Sequence, residues 1–261
     1  MLPIYKPSGK AAEYGDLAIN IYTGCNHRCI YCYAPLQLKR DREIFHSVVE
    51  PRKGIVEAVK RQLDKGYIIK TEFEEIELKN KLIHLCFTCD PYPADIDTTP
   101  TREIIKLIKE SGNHVQILTK GGSRAERDFD LLDENDWFGV TIAGDDNICY
   151  KNFEPFASPL YERTISLVLA HDAGIKTWVS HEPIIMPSIV EYTVVEKLGN
   201  YIDLFRIGKL NYAGLDPRLK EIHDGIDWYE FGHECERLCK EYGRNYYIKE
   251  GLKEIMEGKK P

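Results

Sequence analysis

Apolar and polar positions along the chain alternate between two rhythms. Short β-branched or apolar runs at residues 17–22, 82–87, 114–118, 138–142, 176–180 and 204–207 read as buried strands. Between them the period lengthens. Residues 54–63 set Ile55, Val59 and Leu63 four apart, with Glu57 and Arg61 paired on another face. Thr99 followed by Pro100 reads as a helix N-cap and first helical position, and residues 124–132 and 160–171 are further helical stretches. Residues 67–81 fit either an extra hairpin or a frayed helix end. After Gly232 the pattern gives a helix, a short strand at 246–248 and a final helix. Strand and helix alternating in this way predict a parallel sheet with right-handed crossovers. Roughly six units fit, fewer than the eight of a closed barrel. An open barrel and a doubly wound sheet both satisfy the pattern, and both gather functional residues at the C-terminal ends of the strands.

Composition narrows the class. The 261 residues are 43% hydrophobic and 30% charged, which is ordinary globular material. The longest apolar runs, such as 165–170 with Ser166 inside it, are too short to cross a bilayer, so no membrane role is expected. The first sixteen residues carry Lys6, Lys10, Glu13 and Asp16 and no apolar block, which predicts no secretory signal and a cytoplasmic protein. Eight cysteines in that setting point to metal ligands, reactive thiols or buried thiols rather than disulfides. The net charge of −7 argues against non-specific binding along a nucleic-acid backbone. Residues 33–61 nonetheless hold seven Lys or Arg against four Asp or Glu, so Lys39, Arg40, Arg52 and Lys53 are candidate phosphate contacts, with Tyr33 as a stacking face. A solvated helix surface explains the same charges.

The strongest chemical signal is the string Gly24-Cys25-Asn26-His27-Arg28-Cys29-Ile30-Tyr31-Cys32-Tyr33-Ala34. Three cysteines at spacings of four and three, in a loop leaving the first strand, can wrap three thiolates around one centre, which suits an iron–sulfur cluster or zinc. A zinc site completed by His27, or by the Cys235 and Cys239 pair, remains open on these residues alone. So do three buried thiols.

Cys-x3-Cys-x2-Cys with an aromatic before the third cysteine resembles the signature of the radical S-adenosylmethionine superfamily. The longer string from Tyr22 to Ala34 resembles its spore photoproduct lyase-like branch. The resemblance implies a partial (β/α)6 barrel, with residues 1–231 as the core and 232–261 as a helix-strand-helix extension packed on it. It implies a 4Fe–4S cluster held by Cys25, Cys29 and Cys32, with S-adenosylmethionine as cofactor and an electron donor such as flavodoxin or ferredoxin. Cleavage of the cofactor to a 5′-deoxyadenosyl radical would serve hydrogen abstraction from a nucleotide or nucleic-acid substrate. Radical chemistry on a peptide or small metabolite is one alternative, and a non-catalytic zinc- or cluster-stabilised binding protein is another.

The resemblance extends along the strand ends. Thr88-Cys89-Asp90 matches a Thr-x-Asp after the second strand, with Cys89 and Asp90 at the cofactor. Lys120 would pair with the cofactor carboxylate, Thr141 with its ribose or carboxylate, and Glu182, in a Glu-Pro that recurs at the end of the fifth strand, would also bind the cofactor. Tyr31 would pack on the adenine, and Tyr33 would stand near the substrate for radical relay. Each has a plainer reading: Lys120 as a helix-end cation, Thr141 as a strand former, Asp90 as an Asx-turn residue, Tyr33 as packing. Phe87 occupies the position where the branch carries a hydrogen-donating cysteine. Cys86, as its strand neighbour, should point to the opposite face, which leaves Cys89 the better placed thiol. Cys235 and Cys239, at i and i+4 on one helix face, suit packing more than an auxiliary metal.

Overall fold

The computed structural model describes residues 2–71 and 74–258. Its centre is an eight-stranded sheet with spatial order β1-β2-β5-β6-β7-β8-β9-β10. These strands are Ile4–Tyr5 (β1), Leu17–Ile19 (β2), Leu82–Leu85 (β5), His114–Thr119 (β6), Trp137–Thr141 (β7), Lys176–His181 (β8), Leu204–Ile207 (β9) and Tyr246–Ile248 (β10). Strands β2 to β10 in this sheet pair in parallel, and only β1 is antiparallel, against β2. The sheet does not close, as expected of a partial TIM-type barrel. Tyr67–Thr71 (β3) and Glu74–Glu77 (β4) pair antiparallel as a separate hairpin, which settles the ambiguous 67–81 segment. The helix Trp228–Glu241 runs through the 231/232 border, and the tail beyond it adds β10 to the edge of the sheet beside β9.

Local chemistry explains the main boundaries. The helix Ile55–Lys65 starts after Gly54 and stops at Gly66, both in the left-handed region. The helix Thr99–Glu110 begins one residue earlier than the Thr99 cap predicts. Thr98 is its N-cap, and the Asp97 carboxylate accepts the Thr99 N–H at 2.9 Å. The 124–132 stretch is a 3-10 segment, Gly122–Leu131, rather than an α-helix. Strand β5 ends at Leu85 instead of Phe87 because Cys86 has φ 67°, which breaks the extended path.

The interior of the barrel is filled by the Trp178 indole, whose Nε1 donates to the Ile117 carbonyl at 3.0 Å. Gly139 makes this arrangement possible, since a Cβ there would lie 2.4 Å from Nε1 of Trp178. Tyr14 and His84 pack around the indole at ring distances of 5.9 and 6.3 Å. Among the described residues no helix is long and apolar enough to cross a membrane.

Candidate active site

Above this aromatic plug, at the C-terminal ends of the strands, lies an open cavity. It divides by its lining into a cysteine-bearing wall and an aromatic, cationic wall.

The first wall is the 24–33 loop, and its path is fixed by backbone contacts. Gly24 runs so close to the next helix that a Cβ would lie 2.1 Å from the Phe45 carbonyl. The Arg42 guanidinium donates to the carbonyls of Cys29 (2.6 Å), Ile30 (2.8 Å) and Cys32 (3.0 Å). Arg40 donates to the Thr23 carbonyl, and Arg52 to that of Tyr22 at 3.1 Å. Arg40 and Arg52, read from the sequence as phosphate contacts, therefore hold the loop. An arginine fork serves a carbonyl as readily as a phosphate, and sequence does not distinguish the two.

Cys25, Cys29 and Cys32 are free thiols that all line the cavity. Burial pushes each thiol up from its ordinary value, so a thiolate here needs a metal to take up its charge. A single zinc at ~2.3 Å from each sulfur would draw sulfurs to about 3.8 Å from one another. Among the described residues, only His114, Asp133 and Asp136 bring three ligand atoms within 4.8 Å of one another, so at least one pair of the thiols stands farther apart than that. Lys109 already bridges the Asp133 and Asp136 carboxylates. Nor can His27 complete a zinc site as the residues stand. Its Nδ1 faces Asp90 at 3.5 Å and its Nε2 accepts from Arg124 at 2.9 Å. Cys235 and Cys239 are buried in the Trp228–Glu241 helix and do not line the cavity. Three free thiols on one cavity wall fit a cluster with one open iron.

Asp90 is the joint of this wall. It is 7% exposed, and it accepts from the Tyr92 N–H (2.8 Å), the Thr119 hydroxyl (2.6 Å) and the Lys120 N–H (2.9 Å). Burial opposes its charge, but His27 and these donors hold its carboxyl below the usual range. His27 is itself pushed down to about 4 by burial, so at neutral pH the donors carry the effect. The Tyr92 contact is the Asx turn anticipated from Pro91, and the other contacts tie two strand ends together.

Tyr31 donates its hydroxyl to Glu154, which pairs with Arg163 at 2.5 Å. Arg163 donates in turn to the Thr141 carbonyl at 2.9 Å. The Lys120 ammonium stands 5.6 Å from the Tyr31 ring centre, facing the cavity. Thr141 also lines it. Sequence reading missed Glu154 and Arg163. The available signal was a charge on the buried stripe Arg163, Ser166, Leu167 and Ala170 of the Leu160–Asp172 helix.

The second wall is assembled from distant segments. The Tyr33 hydroxyl donates to the Phe87 carbonyl at 2.8 Å, and its ring stacks on Tyr212 at 5.8 Å. Glu182 accepts from Tyr14 (2.7 Å), Asn211 (2.8 Å) and Lys249 (3.0 Å), so its carboxylate is tied to three other segments. His84 lies 1% exposed beneath Phe87, with ring centres 4.2 Å apart and nearly parallel. Neither of its nitrogens has a hydrogen-bond partner, and the Thr88 hydroxyl has none. Burial, with Arg206 and Lys249 nearby, pushes His84 down to about 3. Cys86 also lines the cavity, contrary to the expectation that it faces away. The alternation rule requires extended backbone, and Cys86 is left-handed.

The sequence model described as the Radical SAM superfamily matches residues 19–198. An uncharacterized protein of Methanocaldococcus jannaschii is 30% identical over 199 residues, 74% of this chain and 69% of the relative. An uncharacterized protein of Acidianus two-tailed virus is 30% identical over 209 residues, 75% of this chain and 68% of the relative. A solved spore photoproduct lyase with bound AdoMet and dinucleoside spore photoproduct superimposes with TM-score 0.65 at 13% identity, covering 93% of this chain and 78% of that one. SuiB of Streptococcus suis bound to S-adenosylmethionine gives TM-score 0.62 at 10% identity, covering 88% of this chain and 49% of its own.

Proposed function

The chain belongs to the radical S-adenosylmethionine superfamily, whose enzymes use a 4Fe–4S cluster and S-adenosylmethionine, and from that premise we propose that Cys25, Cys29 and Cys32 hold the cluster and that the substrate is a nucleotide or short single-stranded nucleic acid. Bound at this wall, the two cofactors supply a 5′-deoxyadenosyl radical by one-electron reductive cleavage, and the protein supplies position and shielding. Lys120 would meet the cofactor carboxylate, Thr141 and Asp90 would bound its site, and Tyr31 would offer a ring to the adenine; all four line the cavity. Glu182 links that site to the N-terminal segment through Tyr14. Tyr33 and Cys89, which both line the cavity, would serve as hydrogen-atom relays. The electron comes from a one-electron donor of the flavodoxin or ferredoxin kind, and reduced thiols of this sort suit a cytoplasmic setting.

The observation that carries the substrate reading is the second wall. Tyr33, Tyr212 and Phe87 offer aromatic faces to a planar base. Lys10 also lines the cavity there, which suits a phosphate. His84 and Thr88 keep unpaired polar atoms, which suit a base edge. The spore photoproduct lyase structure holds a dinucleoside at the corresponding fold, which agrees with this reading. SuiB is known bound to the precursor peptide SuiA, which keeps a peptide as the second reading.

The test is anaerobic reconstitution with iron and sulfide. A brown ~400 nm chromophore and release of 5′-deoxyadenosine with dithionite are expected. Their absence overturns the radical reading. Anisotropy with short oligonucleotides then addresses the substrate. Binding that weakens as salt rises supports a nucleic acid, and no binding at low salt favours the peptide.

A further inference from the structure

Residues 86–89 read Cys-Phe-Thr-Cys, a pair of cysteines separated by two residues. The left-handed turn at Cys86 brings its side chain to the same cavity as Cys89. The backbone N–H of Tyr22 donates to the Cys89 sulfur at 3.4 Å. Both thiols line one cavity across a turn of two residues, and each shifts the other's titration. Both are free thiols, and neither is needed for the cluster.

We propose that Cys86 and Cys89 form a redox-active dithiol that closes reversibly to a disulfide, with a low-molecular-weight disulfide as its oxidant. The Cys89 thiolate attacks one sulfur of the small disulfide, whose S–S bond breaks to release one small thiolate. The proton of Cys86 passes to that thiolate, and the Cys86 sulfur then displaces the second small thiol from Cys89. Two protein thiols are oxidised and one small disulfide is reduced to two thiols. The assignment of roles follows the surroundings. Burial opposes a Cys89 thiolate, but Cys86 and the N–H groups of Tyr22 and Ile21 outweigh it and hold Cys89 below the ordinary thiol value. Burial and the Cys89 partner push Cys86 well above it. The reduced pair presents S–H groups to the cavity and the disulfide presents none, so the pair sets whether a thiol hydrogen is available there. The inference goes beyond the substrate reading and does not depend on it.

The reconstituted protein is equilibrated anaerobically in oxidised and reduced glutathione, acid-quenched, labelled with N-ethylmaleimide and digested with trypsin. Cleavage after Lys81 and Arg102 yields a peptide whose only cysteines are Cys86 and Cys89. The expected product is that peptide two hydrogens lighter and unlabelled, restored to double labelling by dithiothreitol. At a fixed ratio of oxidised to reduced glutathione, tenfold dilution of both should raise its disulfide-to-dithiol ratio about tenfold, whereas a glutathione adduct would not respond. C86S should accumulate the adduct on Cys89, and C89S should leave Cys86 labelled. Full double labelling in the most oxidising buffer, or an adduct in the wild-type protein without the internal disulfide, overturns the proposal. Either result leaves 5′-deoxyadenosine formation intact as a separate test of the radical reading.

Discussion

The two walls of the cavity are built differently. In the cysteine wall most polar groups are engaged: Asp90 by three donors, Arg42 by three carbonyls, Glu154 by Tyr31 and Arg163, with the Nε2 of His46 behind Cys25 as the exception. In the aromatic wall His84 and Thr88 keep buried polar atoms without partners. An unpaired buried polar atom carries a desolvation penalty of about 1–3 kcal/mol, which a protein tolerates where a ligand relieves it. The contrast teaches that the first wall is held mostly by its own hydrogen bonds, whereas the second leaves His84 and Thr88 open to a partner.

Cys29→Ala puts this contrast to its hardest test. The ~400 nm absorption and 5′-deoxyadenosine release should both fall to background, because the remaining pair cannot hold the cluster. Retained turnover would mean that the cysteine wall is not a cluster site. Glu154→Ala comes next, since it strands the Arg163 guanidinium at 3% exposure. A loss of about 3–5 kcal/mol in urea unfolding of the metal-free protein is expected, and a loss under 1 kcal/mol would show that this wall is less preorganised than its hydrogen bonds imply.

On the aromatic wall, His84→Phe should flatten the pH dependence of stability. The folded value of His84 lies near 3, below the unfolded one, so the unfolded chain takes up the proton first as the solution is acidified. Stability is full above the unfolded pKa and falls by roughly tenfold in the folding equilibrium per pH unit between about 6 and 4. Parallel wild-type and variant curves in that window would place the unpaired imidazole elsewhere than in a buried, neutral state. The smallest effect belongs to a cysteine in neither wall. Cys235→Ala should lower stability by about 1–2 kcal/mol and leave iron per chain unchanged; lost iron would bring the C-terminal helix into the metal site.

The strands and the cluster loop were legible because their signals are local. Six apolar runs and a spacing of three cysteines within eight residues need no tertiary knowledge. The aromatic wall was not legible, because Tyr14, His84, Tyr212 and Lys249 come from segments that only the curved sheet brings together. Cys86 escaped for another reason. A left-handed cysteine is rare enough that period-two reasoning carries through it, and the thiol was assigned to the wrong face. Arg40 and Arg52 were seen but misread, since loop carbonyls compete with phosphates for the same fork.

The Trp178 indole, admitted by the missing Cβ of Gly139, has a consequence for timing. With the bore stopped from below, the cavity is entered from the C-terminal ends of the strands. On the proposed function, a substrate resting on Tyr212 and Phe87 would share that mouth with S-adenosylmethionine, and the order in which the two bind would then govern turnover.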